Sequence, residues 1–358
     1  MYKRRRSSDH HRDGGAKRPR HGQKQLYVVL DDWEKGYSIH KIDGDAFEDS
    51  RYGAEELELA DPPVVRLEES CKGVLIGALG SKILALWQPT AANRAVAYDT
   101  KTAALAVGPP HPDALQNMRF VVAVGKKLCA MHEGGMHCLD MEAEEHQWAW
   151  TRVSSSTLPL PGCEDDPDVP IEITAYAVHP DGRTVFVSAH AKDRRPRSAY
   201  AGTFSLDTGA DGDVEWKLRG EWLLPFQGQG HYDADLDAWV GLHSPRHMCT
   251  CNVPAPLDDD TPAPAKPTWK LLRTAQFSAD PDPRRGDSAA SLVSMGDGEF
   301  CVVESLLAKD EYVQLRLTKF RLRRDRHGQL TASSRRGGAL SCRVRKFDSL
   351  FSPRAFCM

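Results

Sequence analysis

The chain has 358 residues, 41% of them apolar, and a formal net charge of −3. That is enough apolar material for a sizeable core, and enough length for two domains or one large all-β domain. No apolar run approaches the roughly eighteen residues a membrane helix needs, no apolar segment follows the basic N-terminus as a secretory signal requires, and the small net charge hides a split, with residues 1–24 at +7 and the remainder at −10.

Residues 1–24 show no apolar periodicity and are rich in Arg, Ser, His, Asp and Gly. Such a composition cannot bury enough surface to order itself, so a disordered basic tail is expected. Two cationic clusters stand in it, Lys3, Arg4, Arg5 and Arg6, then Lys17, Arg18 and Arg20, with ten residues between. The spacing resembles a bipartite nuclear-import signal, in which two positive clusters on an extended chain reach two acidic grooves of one import receptor. A phosphate-binding arm and a solvated tail without a role are the competing readings. A basic arm on an acidic body lacks the basic folded face of a nucleic-acid-binding domain, so nucleic acid is not the expected partner.

From Leu26 onward short apolar runs alternate with Gly, Pro and Asp, and strand signals dominate. Only Gly53 to Ala60 suggests a helix, of two turns at most. Six passages share one grammar, from "LYVVLDD…YSIHKID" to "EFCVVESLL…VQLRLTKFRL". Two strands form a hairpin, and a third often ends on Asp, as at Asp43, Asp99, Asp140 and Asp207. There the carboxylate can bond the next backbone amides and start a turn. A fourth segment follows, often with Trp or Leu before Pro. "VHPDGRT" is the clearest turn, with Pro180 and Gly182 at the positions a reversal needs.

The third-strand landmarks recur every 40–70 residues or so, the spacing of four-stranded propeller blades with loop insertions. We therefore expect one all-β domain over residues 25–358, a kelch-like β-propeller of six four-stranded blades behind the tail. The first unit is one strand short, and "CRVRKFDSL" near the C-terminus is the candidate to complete it. Long Pro- and Asp-rich insertions at 161–170, 253–267 and 278–290 are where a rigid ring would meet protein partners. Trp87, Trp148, Trp150, Trp216, Trp222, Trp239 and Trp269 recur at similar places, as inter-blade core residues or, at the mouth, as peptide anchors.

"EGGMHCLDMEAEEHQWAWTRV", with Gly134-Gly135, an apolar strand and then Trp148 and Trp150, is similar to a kelch-type blade. The body from "LYVVLDDWEKGYSIHKID" to "KFDSL" resembles a plant family, expanded in grasses, of proteins of unknown function with a kelch-like propeller. The resemblance implies a fold and no established activity. The double glycine occurs in one unit only, a departure from kelch proteins proper.

Few residues carry chemistry. Nine widely spread cysteines, several inside apolar runs, suggest free buried thiols in a reducing compartment rather than a disulfide framework. His243, His247, Cys249 and Cys251 are four soft ligands within nine residues, a weak zinc candidate without the usual spacing of two ligand pairs. His132 and His137 bracket the Gly134-Gly135 turn beside Glu133, which suits either acid–base work or a surface hairpin. Ser81 lacks a nucleophile elbow, and "GQGHYD" lacks the rest of a dinucleotide fingerprint. Asp233, Asp235 and Asp237 alternate as if on one strand face, for calcium or as edge charge. Arg285-Gly286-Asp287 spells an adhesion tripeptide with no expected role inside a cell.

The expectation is a non-catalytic protein–protein interaction scaffold, nuclear first and cytoplasmic second. It takes protein partners through the propeller loops and an import receptor through the tail, with no cofactor and no membrane. The alternatives are a propeller-class hydrolase or cyclase with a central-channel site, and an RNA- or DNA-associated protein using the tail.

Overall fold

A computed structural model describes residues 24–358, apart from 33–35, 44–46, 48–56, 60–61, 69–73, 88–94, 116, 142–146, 161–169, 192–199, 245–246, 256–264, 273–288, 308–311, 325, 327–329, 334–338 and 346–352. The tail and most of each expected insertion lie outside the described residues. Those described form strands, with one short 3₁₀ turn at Asp113–Leu115. No helix among them is long and apolar enough to cross a membrane.

The chain repeats one unit, a four-stranded antiparallel meander. β1 (Leu26–Asp31) pairs with β2 (Tyr37–Ile42), β3 (Leu57–Glu58) leaves for a distant sheet, and β4 (Val65–Leu67) pairs with β2. The second meander is β5 (Val74–Leu79), β6 (Lys82–Trp87), β7 (Ala95–Asp99) and β8 (Leu105–Val107). The third is β9 (Phe120–Val124), β10 (Lys127–His132), β11 (Gly135–Asp140) and β12 (Trp150–Ser154). The fourth is β13 (Ile171–Val178), β14 (Thr184–Ala191), β15 (Ala201–Asp207) and β16 (Lys217–Gly220). The fifth is β17 (Gln227–Asp233), β18 (Ala238–Ser244), β19 (His247–Asn252) and β20 (Trp269–Leu271). The sixth is β21 (Ala289–Gly296), β22 (Glu299–Leu307), β23 (Tyr312–Arg324) and β25 (Ala339–Arg345), with β24 (Leu330–Ser333) paired to the end of β23. β26 (Arg354–Cys357) pairs with β1 and supplies the strand the first meander lacks.

Two expectations are corrected here. "CRVRKFDSL" does not complete the first unit: its described part belongs to β25 of the last meander, and the completing strand comes a dozen residues later. The Gly53–Ala60 helix is not formed where described, since Leu57–Glu58 runs parallel to β25 at Cys342 and Arg343.

The turn chemistry follows the sequence. Asp181 Oδ1 accepts the amides of Arg183 and Thr184, both at 2.9 Å, and Gly182 has φ +72°. Asp99 and Asp207 do the same for Lys101 at 2.8 Å and Gly209 at 2.9 Å. Burial alone would raise the Asp99 pKa, but the Lys101 amide and the Lys82 ammonium outweigh it and hold the carboxyl at about 2.

The core lies between meanders, because a flat four-stranded sheet has two apolar faces to cover. Tyr27 and Ile39 of the first pack with Ile76 and Ile83 of the second, and Leu84 and Leu86 of the second with Leu128 and Leu139 of the third. Val122 and Met131 meet Val185 and Phe204, Phe186 meets Trp239 and Cys249, and Val240 meets Phe300 and Val302. The last cluster joins Val303 and Leu315 of the sixth meander to Leu26 and Val28 of the first. Each fully buried side chain of this size contributes about 1.5–3 kcal/mol. The contacts return to their starting point, which an open stack cannot do. Gly77 marks how tightly neighbours approach: a Cβ there would stand 2.6 Å from a Val121 methyl.

Candidate functional site

The innermost strand of the second to sixth meanders is the first in sequence, and that of the first meander is β26: β5 lies against β9, β13 pairs parallel with β17, and β21 lies against β17 and β26. What these strands project is therefore what the ring axis can offer. A bulge between Ile173 and Ala175 in β13 shifts its alternation, placing Tyr176 with Val185 and Val187 on the side of the third meander. The Tyr176 ring stacks on Phe120 of β9, with centroids 4.0 Å apart and planes within 5°. Its hydroxyl feels the charge of Arg354, the first residue of β26, so a side chain of the closing strand acts on one from the fourth meander. Burial pushes the phenol pKa up, and the Arg354 charge pulls against it. Arg354 itself is exposed.

Three further polar side chains sit on innermost strands or beside them. His231 of β17 bonds the Leu292 carbonyl at 2.9 Å, and burial pushes its pKa down, so it is a neutral donor tying two meanders together. Glu172 and His190 face each other across β13 and β14, with His190 Nε2 3.8 Å from a carboxylate oxygen.

Sequence reasoning found neither Tyr176 nor Arg354. Tyr176 lay in plain view in "ITAYAVHPDGRT" as one apolar residue among several. Arg354 carried no local signal, because its role depends on ring closure.

The histidines around Gly134-Gly135 are brought together, but not as an acid–base pair. Gly134 N–H donates to His132 Nδ1 at 3.1 Å, and His132 Nε2 lies 3.1 Å from His137 Nδ1. Since Nδ1 of His132 accepts, Nε2 carries the proton and donates to His137. Glu133 turns away to Arg119 and, at 3.1 Å, to Asn117. Both imidazoles are almost fully buried. Desolvation, then the neighbouring His137, lowers the His132 pKa to about 4, and burial beside Arg152 lowers that of His137.

His243, His247, Cys249 and Cys251 do not converge, and among the described residues no group of three or more metal-ligating side chains occurs. His243 stacks on Trp269, with centroids 5.0 Å apart, and its Nδ1–H donates to the Pro225 carbonyl. Cys249 and Cys251 are buried in β19, and burial pushes both thiols up to about 12. Asp233, Asp235 and Asp237 do not share a strand face: β17 ends at Asp233, whose Oδ1 accepts the Leu236 amide at 3.0 Å, and Asp237 has φ +48° in the turn. The free-thiol expectation is corrected in one place, where Cys129 and Cys138 form a disulfide. Lys3, Arg4, Arg5, Arg6, Lys17, Arg18, Arg20 and Arg285-Gly286-Asp287 lie outside the described residues.

The family described as "Protein of unknown function (DUF1668)" matches residues 23–341. No curated protein matches the sequence. Among solved structures, the periplasmic gluconolactonase PpgL of Pseudomonas aeruginosa is 11% identical, with TM-score 0.45, over 92% of this chain and 99% of that one. Apo AztD of Citrobacter koseri is 10% identical, with TM-score 0.41, over 93% and 98%. TolB of Acinetobacter baumannii is 13% identical, with TM-score 0.40, over 94% of this chain and 66% of that one. The strand arrangement is propeller-like and all-β. A protein named as a gluconolactonase stands among these similar structures, against the expectation of a non-enzyme. At such identity the likeness concerns the fold and assigns no substrate.

Proposed function

The chain belongs to the DUF1668 family of proteins of unknown function, and within it we propose a propeller-class enzyme of the hydrolase type with its site on the ring axis. The same reading takes the six meanders as six blades of a closed ring, kelch-like at the Gly134-Gly135 turn. One observation supports it: exposed Arg354, on the innermost strand of the first blade, acts by its charge on the buried phenol of Tyr176, on that of the fourth.

The chemistry follows from the donor inventory. A guanidinium has donors only, so toward it the phenol oxygen is an acceptor and the phenol proton is left to donate. Two donors, one of them cationic, then address the same point. Such a pair suits negative charge that develops on oxygen, as on the carbonyl oxygen of an ester or lactone when water adds to it. The raised phenol pKa keeps Tyr176 protonated at neutral pH, as a donor rather than a nucleophile.

The test is turnover of a panel of lactones and carboxylic esters by the intact chain and by Tyr176→Phe and Arg354→Ala. Loss of one oxyanion donor costs about 10²–10³ in kcat, so both variants should fall by that order while keeping the wild-type melting point. Turnover that neither substitution reduces, or no turnover of any member of the panel, would sink the reading.

A further inference from the structure

We infer that the outer end of β23 is a docking surface for the phosphate backbone of a nucleic-acid duplex, separate from the axial site. Residues 312–346 carry eleven Lys/Arg and one acid, Asp325, in a chain whose net charge is −3. Counting the body as one acidic unit hides this. The basic charge is carried on a folded element, which is the footprint that a tail alone lacks.

The strand divides in two along its length. Val313, Leu315 and Leu317 pack toward the first meander, and Phe320 and Leu322 pack toward the fifth. Beyond Phe320 the polar positions are arginines: Arg321 is half-buried, and Arg323, Arg324 and Arg326 are exposed. β24 holds this end extended, pairing Arg321 with Ser333 and Arg323 with Thr331. The Thr331 and Ser333 hydroxyls donate to the Arg323 and Arg321 carbonyls at 3.2 and 3.3 Å. Arg324 is anchored by its guanidinium to the Leu236 carbonyl at 3.2 Å.

Two neighbouring lysines are paired with carboxylates. Lys319 pairs with Glu299 at 3.1 Å, and Lys24 with Asp297 at 3.1 Å. Among the described residues no ion pair joins a carboxylate to Arg323, Arg324 or Arg326, and Glu299, which stands opposite Arg321, is paired with Lys319. A strand edge kept soluble by charge needs no single sign, and a run this one-sided repels itself unless an anion covers it.

The geometry selects the kind of anion. Arg321 and Arg323 share one face about 6.7 Å apart, the two-residue step of a strand. That is of the order of the spacing between successive phosphates of one nucleic-acid strand, so each side chain can meet one phosphate. Single-stranded nucleic acid is usually held by aromatic platforms. The exposed large apolar residues of the described chain are Val64, Leu105, Val107, Tyr200, Leu218, Trp269 and Leu271, none of them on the sixth meander. Phosphates, not bases, are what this surface can read.

The experiment is fluorescence anisotropy of the full chain with a short labelled DNA duplex between about 50 and 200 mM salt. The variants are Arg321→Gln/Arg323→Gln/Arg326→Gln, Arg326→Gln alone as the change least able to disturb folding, and a chain lacking residues 1–23. Each phosphate contact contributes roughly 0.9 to the slope of log affinity against log salt. The triple variant should therefore lose close to three from that slope, and Arg326→Gln close to one, at an unchanged melting point. The proposal is overturned if neither variant changes the slope. It is equally overturned if removal of residues 1–23 alone abolishes binding, if a single-stranded probe binds as tightly, or if phosphatidylserine vesicles depend on the same arginines to the same degree.

Discussion

His132 is fixed in its neutral form by what surrounds it. One ring nitrogen accepts a backbone amide and the other donates to His137, so a second proton would set an N–H against the Gly134 N–H. Glu133 favours a cation, but it is drawn outward by Arg119 and Asn117, and Arg152 faces His137 from β12. Burial and these neighbours hold the folded pKa at about 4, against 6.5 for an ordinary histidine. The unfolded chain therefore binds the extra proton between those two values. Stability from this group is complete above pH 6.5 and is lost as pH falls toward 4. We expect the melting midpoint to drop between pH 7 and pH 5, and the drop to shrink in His132→Gln, with circular dichroism as the readout. Equal pH dependence in the two chains would refute the assignment. The sequence placed both histidines and the glutamate at one turn. It could not show that Glu133 is claimed from the chain just before β9, and that contact decides between an acid–base pair and a neutral lock.

At the scale of the element, the hairpin of β10 and β11 shows what register adds. His132 faces Gly135, and counting back from that turn places Cys129 opposite Cys138 with a Cα separation of 4.0 Å. The pairing was legible, since both cysteines lie three residues from the ends of the turn; overall cysteine usage pointed the other way. Gly135 fixes the register, because at φ +131° an added Cβ would lie 2.0 Å from the Ser154 carbonyl oxygen. A crosslink closing so short a loop is worth at most about 2–3 kcal/mol on chain entropy. The existing turn already takes part of that. Reductant, or Cys129→Ala/Cys138→Ala, is expected to lower the melting midpoint by a few degrees, without loss of strand content, if the chain is isolated oxidised. A thiol titration that finds nine free cysteines in the denatured, unreduced chain would show the bond is not formed. Cys249, Cys251, Cys301 and Cys342, by contrast, remain buried free thiols, as the composition suggested.

At the scale of the molecule, local pattern yields the repeats and closure fixes the assembly. Alternation and Asp-led turns made most strands readable, since both are set within a few residues. What was not readable was anything that joins residues hundreds apart: the closing strand, the Arg354–Tyr176 interaction, and the one-signed end of β23. The choice of "CRVRKFDSL" as the closing strand failed for this reason. Its apolar residues Leu340 and Cys342 suit the interface of the last meander with the first, and a strand on either side of that interface carries the same pattern. The true closing strand is held by backbone bonds, Leu26 to Val29 against Cys357 to Arg354, and by Gln25 and Met358 exchanging bonds at 3.0 and 2.9 Å. It also covers the cluster that joins the first and sixth meanders, through Ala355 and Cys357. Removing residues 353–358 should thus open the ring at one interface rather than trim an end. The exposed β1 edge would then be free to pair with another chain. We expect the truncated chain to melt broadly and well below the intact one, and to elute as larger species in size-exclusion chromatography. A truncated chain that melts sharply at the wild-type midpoint would mean the first meander is held by its side-chain cluster alone. In that case Arg354 and its interaction with Tyr176 would be the reason the last strand is there.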